Sequence, residues 1–116
     1  MKELSSPPAW LESLTPAEER AFELLAHELV KAKAKHPLWV SDPIHAAGIL
    51  NEEAGETMQA AIDLTYSEFT WEMAQKMENE AAQTGAMAVC FIANMHQYSI
   101  QDRSIQFDTQ DRSLEK

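Results

Sequence analysis

A chain of 116 residues has room for one domain and a single core. Its 45% apolar content is too high for a disordered polypeptide, and 19 acidic against 9 basic residues leave a formal charge of −10. That balance excludes an electrostatic grip on a nucleic-acid backbone, which requires clustered Lys and Arg.

No apolar run approaches the ~18 residues of a membrane span, and Met1 to Pro8 lacks an apolar signal core. A cytoplasmic protein with no membrane partner is therefore expected. Cys90, the one cysteine, sits between Val89 and Phe91 and reads as a small buried hydrophobe, with no disulfide framework available within the chain. None of the prolines lies between Ile44 and Tyr98, so that stretch predicts long helices and an all-α fold. Small helical domains bury a modest share of their surface, so a homodimer or homotetramer is expected.

In chain order, residues 1–15 read as an irregular arm that packs Trp10, Leu11 and Leu14 onto the body. Thr15-Pro16-Ala17-Glu18 combines an N-cap, a proline at the first helical position and an acidic first turn. The helix that follows should run from Pro16 to about Lys35, with Phe22, Leu25, Leu29 and Ala32 on one face. Lys31, Lys33 and Lys35 fall where cations complement the helix dipole. Pro37 drives His36 out of the helical region, and Ser41-Asp42-Pro43 signals a second start. That helix should reach Tyr66, with Ile44, Ala47, Ala54, Met58, Ala61 and Ile62 at helical spacing. Ser67 is a candidate cap for a third helix over about 69–98, whose near-heptad stripe takes in Met73, Met77, Glu80, Thr84, Met87 and Phe91. Ala81, Ala82, Gly85 and Ala86 would admit a neighbouring helix at close range. The helical domain is thus 16–98. Residues 99–116 form a polar tail in which Ile100, Ile105 and Phe107 suit a short extended arm draped over a partner subunit.

The chemistry concentrates in the acidic helices. Glu53 and Glu56 stand one turn apart on one helix face, and Glu80 and Gln83 repeat that spacing in the next helix. Paired carboxylates repel unless a cation lies between them, and the two pairs on facing helices, three carboxylates and one amide, would make an oxygen-lined cage for a hard cation such as Mg²⁺ or Mn²⁺. Glu80 breaks an apolar stripe, and an isolated buried carboxylate costs several kcal/mol unless it is paired or metal-bound. Lys76, four residues before Glu80, offers a plain ion pair as the alternative; a polar residue that fixes helix register is another. His36 and His45 share no helical spacing, which disfavours a zinc site. Lys35 and Lys76 are candidate phosphate contacts, and Trp39 a candidate base-stacking residue, with a plug between helices as its alternative role.

Asn51-Glu52-Glu53-Ala54-Gly55-Glu56 resembles the EExxE signature of the MazG-like, all-α nucleoside triphosphate pyrophosphohydrolases, and Glu80-Ala81-Ala82-Gln83 resembles their ExxD element. His36-Pro37-Leu38-Trp39, Asp42-Pro43-Ile44-His45-Ala46-Ala47 and Glu80 to Ala88 resemble a small branch of that family found in phages and bacteria. The resemblance spans roughly residues 20–95. It implies Mg²⁺-dependent cleavage between the α- and β-phosphates, yielding a nucleoside monophosphate and pyrophosphate. By position, it assigns Glu53, Glu56, Glu80 and Gln83 to metal and Glu52 to metal or to the base that orients water. Gln83 departs from the family Asp and removes one negative charge from the cage; Glu78 is a candidate to replace it. Within the same class, a deoxyuridine triphosphatase or a phosphoribosyl-ATP pyrophosphohydrolase is the neighbouring reading. From another class, the alternative is a helical interaction module without catalysis.

Overall fold

The computed structural model describes residues 6–100 and the backbone of 103 and 104. Three long helices carry the fold. A single turn, α1 (Ala9–Glu12), precedes α2 (Pro16–Lys35), α3 (Pro43–Tyr66) and α4 (Trp71–Ala93). A 3₁₀ turn at Met95–Gln97 leads to β1 (Ser99–Ile100), which pairs antiparallel with β2 (Arg103–Ser104) in the register Ser99 to Ser104 and Ile100 to Arg103. No helix among the described residues is long and apolar enough to cross a membrane.

Local chemistry explains each boundary. At α2, the Thr15 hydroxyl accepts from the Glu18 amide at 3.1 Å while the Glu18 carboxylate accepts from the Thr15 amide at 2.8 Å. This reciprocal box satisfies two donors that the first helical turn leaves unpaired. At α3, the Asp42 carboxylate caps the Ile44 amide at 3.0 Å, with Pro43 preset for the first helical position. Ser67 turns out to follow α3 rather than to start α4. The cap of α4 is Thr70, whose hydroxyl accepts from the Met73 amide at 3.1 Å. The far end also comes earlier than the sequence suggests. The Asn94 amide side chain donates to the Cys90 carbonyl at 2.8 Å, occupying an acceptor at the helix end, and the chain tightens into the 3₁₀ turn.

The helices lie side by side with α4 in the middle, packed on α2 along one flank and on α3 along the other. Arg20 reaches Glu78 and Leu25 touches Gly85, so α2 runs parallel to α4. The short turn 67–70 makes α3 and α4 an antiparallel hairpin. All six stripe residues of α4, Met73 to Phe91, are half-buried, as the heptad spacing predicts.

Past α4 the chain folds back on the 36–42 link. Buried Tyr98 donates its hydroxyl to the Phe91 carbonyl at 2.9 Å and accepts from Trp39 Nε1 at 2.8 Å, while the Ser99 amide reaches the Ser41 carbonyl at 3.0 Å. Trp39 thereby plugs the junction between the start of α3 and the end of α4.

Two expectations about apolar residues are corrected. Trp10 and Leu11 stay exposed, since a single helical turn presents too little surface to hold them against the body. On α2, the apolar residues turned inward are Leu24, Leu25, Leu29 and Ala32, and Phe22 points out. Of the tail, Ile105 and Phe107 lie outside the described residues.

Close approach of α2 and α4 depends on Gly85. A Cβ built there would stand 2.5 Å from Leu25 Cδ1 and 3.2 Å from its Cγ. Gly85→Val should therefore destabilise the fold by about 1–3 kcal/mol through overpacking, measured by urea unfolding. Gly85→Ala should cost less, because the end of Leu25 can rotate away and the helix recovers about 1 kcal/mol of propensity.

Candidate metal centre

Glu53 and Glu56 come from α3 and Glu80 from α4, and the antiparallel hairpin brings them together. One carboxylate oxygen of each lies within 4.8 Å of the other two. Glu53 and Glu80 are half-buried between the helices, while Glu56 stands exposed at the edge, where solvent and a ligand can enter. Glu53 Oε2 and Glu80 Oε2 are buried without a hydrogen-bond partner.

A pair of threonines props the crossing. Thr57 Oγ1 lies 3.2 Å from the Glu53 carbonyl, Thr84 Oγ1 lies 2.9 Å from the Glu80 carbonyl, and the two hydroxyls meet at 2.9 Å, so two hydroxyl protons are shared among these three contacts. Each helix thus presents a glutamate and, four residues on, a threonine, so the two carboxylates and the two hydroxyls share one contact. Glu-x-x-x-Thr on both helices is the sequence signal for this clamp, and it escapes a search restricted to ligand residues.

Electrostatics explain why the cluster is unusual. Burial, first of all, pushes the Glu53 carboxyl above its ordinary 4.5, and the charges of Glu56, Glu80 and Glu52 push it further. Burial likewise raises Glu80, followed by a hydrogen bond and charge repulsion from Glu56, with Lys76 pulling weakly the other way. Among the described residues Lys76 makes no ion pair, so the simple Lys76–Glu80 alternative is not formed.

A raised folded-state value means that the native chain binds protons more readily than the unfolded one. The stabilisation is complete below about 4.5 and is lost as pH rises through the higher folded value. Metal-free protein should therefore melt at higher temperature as pH falls from 7 towards 4.5. Glu80→Gln should flatten that rise, while a slope identical to the native one would exclude the cluster as its source.

The remaining predicted residues fall in different places. Glu52 is exposed on the shoulder of α3, close enough for its charge to act on Glu53. Gln83 is half-buried one turn beyond Glu80. Glu78 cannot complete the cage as expected, because it faces the opposite flank of α4 and holds Arg20 at 3.0 Å. Lys76 stands exposed one turn before Glu80. Trp39 is tied through Tyr98 to Phe91, which lies ~16 Å along α4 from Glu80 at the rise of an α-helix. Lys35 ends α2, level with the far end of α4 because the two helices run parallel.

The donor set fits a hard divalent cation. Oxygens on opposite sides of Mg²⁺ lie roughly 4.2 Å apart at bonds of about 2.1 Å, so gathering the three carboxylates onto an ion needs side-chain shifts of under about 1 Å. The two unpartnered oxygens are the acceptors that such an ion would satisfy. No protein-family description matches this chain, and no curated protein and no solved structure is measurably similar to it.

Proposed function

We propose that this protein is a metal-dependent nucleoside triphosphate pyrophosphohydrolase with a MazG-like helical bundle, acting in nucleotide-pool housekeeping as a homodimer or homotetramer in the cytoplasm. The observation that carries this reading is the convergence of Glu53, Glu56 and Glu80 within 4.8 Å, with two buried carboxylate oxygens left without partners. The EExxE and Glu80-to-Gln83 resemblance supplies the chemistry.

Glu53, Glu56 and Glu80 would hold Mg²⁺ or Mn²⁺, with the Gln83 amide oxygen as a neutral fourth donor. Bound there, the ion would offset the triphosphate charge and lower the pKa of an attacking water. Glu52, exposed next to Glu53 on α3, would accept a proton from that water. Lys76 carries a cation to the same end of α4 and suits a phosphate contact. Lys35 and Trp39, which sit at the other end of the fold, would reach this substrate only from another copy of the chain.

The direct test is pyrophosphate release in Mg²⁺ across canonical, deoxy and damaged nucleoside triphosphates. Metal-dependent release that needs Glu53 and Glu80 supports the reading, and preference for deoxyuridine triphosphate or phosphoribosyl-ATP would select a neighbouring enzyme. Failure to turn over any nucleotide would leave the helical interaction module, a reading favoured by the exposed apolar side chains of α3.

A further inference from the structure

The protomer has little interior of its own. Among the described residues the buried apolar side chains are Ala46, Ala60, Ala86, Cys90 and Tyr98, and of these only Tyr98 is large. Three helices in a row leave α3 with one face on α4 and the opposite face open. Ile44, Gly48, Asn51, Gly55, Met58 and Ile62 occupy that open face, alternating four and three residues apart, the spacing of a coiled-coil seam. Ile44 is 82% exposed, Met58 62% and Ile62 43%.

The two glycines are the telling residues. A Cβ at Gly48 or at Gly55 would meet nothing within 4 Å, so no contact inside the protomer requires them. Each costs an exposed helix about 1 kcal/mol relative to alanine. Their use is to let another backbone come near. Ala47, Ala54 and Ala61 keep one shoulder of the seam equally low.

We infer that this face of α3 pairs antiparallel with the same face of α3 in a second copy of the chain, about a two-fold axis level with residue 53. This inference rests on the oligomeric reading proposed above and names its surface. The occupant follows from the order of side chains. Reversing the seam sets Ile44 against Ile62, Gly48 against Met58 and Asn51 against Gly55, so each glycine receives a larger side chain from the other copy. A two-fold interface requires this self-complementarity, and an unrelated partner would not. Reversal also brings exposed Leu38, before α3, towards exposed Tyr66, Phe69 and Trp71 at its other end, continuing the apolar contact. The opposite shoulder bears Glu52, whose charge meets that of its own copy beside the axis, with Gln59 and Asp63 further along, so the helices cross with that side open to water.

Light scattering and sedimentation equilibrium on the full chain test the seam. The native chain should be dimeric or a multiple of two, and Gly48→Leu or Gly55→Leu should raise the dissociation constant at least ~10-fold, although leucine strengthens the helix itself. Should those variants not fold, cross-linking decides. In a Cys90→Ala background, Ile44→Cys with Ile62→Cys should give a covalent dimer with a short thiol-reactive linker, and Ile44→Cys alone should not. A native chain that stays monomeric overturns both this inference and the oligomeric reading. A dimer indifferent to the leucines and not cross-linked overturns the seam alone. Cross-linking by Ile44→Cys alone overturns the antiparallel arrangement.

Discussion

In saturating magnesium, Glu53→Ala and Glu80→Ala should each release pyrophosphate from the preferred nucleoside triphosphate at least about 100-fold more slowly than the native chain. That factor corresponds to about 2.7 kcal/mol of transition-state stabilisation, a modest part of the several kcal/mol an ion supplies by screening phosphate charge. The two residues approach from different helices and each carries a buried oxygen without a partner, so removing either opens the cage. Glu56, at the solvent edge, should tolerate replacement better. Glu52→Gln should depress kcat with little change in KM, as a proton acceptor outside the cage would, whereas Lys76→Ala should chiefly raise KM. Equal activity in all these variants would assign any observed hydrolysis to a contaminant. A native chain with no activity would leave the metal site to be judged by stability alone.

The sequence carried most of the helical layout because its stop and start signals are local. Thr15-Pro16 with Glu18, and Asp42-Pro43, act within one turn, and both helices begin where those residues place them. The end of α4 was less legible. Apolar residues continue at helical period to Tyr98, yet Asn94 takes over a helix-end carbonyl and Tyr98 is drawn to Trp39, a contact 59 residues apart in sequence. Long-range hydrogen bonds of that kind leave no periodic trace.

Periodicity also proved two-sided on α3. Ile44, Ala47, Ala54, Met58 and Ile62 share a face, as their spacing predicts, but it is the face turned away from α4. The inward face carries Ala46, Ile49, Leu50, Glu53, Thr57, Ala60 and Leu64, where polar groups interrupt the apolar pattern. A helix with two apolar faces offers no local means of telling which neighbour takes which. For the cage, position 80 was conspicuous because it breaks the stripe of α4. The opposition of Glu80 to Glu53 depends on how the 67–70 turn sets the register of the hairpin, and that register follows from packing. Glu78, two residues away, shows how sharply it matters: it lies on the other flank of α4 and binds Arg20.

Magnesium and the unmutated cage should reverse the order of stability between native protein and Glu80→Gln. Without metal, the native cage holds carboxylates whose folded values lie above 4.5 because they are desolvated and crowded, so at neutral pH their ionisation opposes folding. Replacing Glu80 with the neutral isostere removes one of these charges and should raise the melting temperature of the metal-free chain. With metal at ~100-fold over its dissociation constant, the native chain gains about 2.7 kcal/mol and the variant gains little. For a domain of this size that gain corresponds to roughly 10 °C or more, enough to invert the order. Gln83→Asp should move the other way on both counts. A fourth carboxylate adds repulsion to the metal-free fold and affinity to the metal-bound one, so its melting temperature should start lower and climb further with Mg²⁺. The measurement is a set of thermal melts at neutral pH with EDTA or with Mg²⁺ for the three proteins. Parallel shifts in all three would mean that the ion acts on the general −10 charge of the chain rather than on this site.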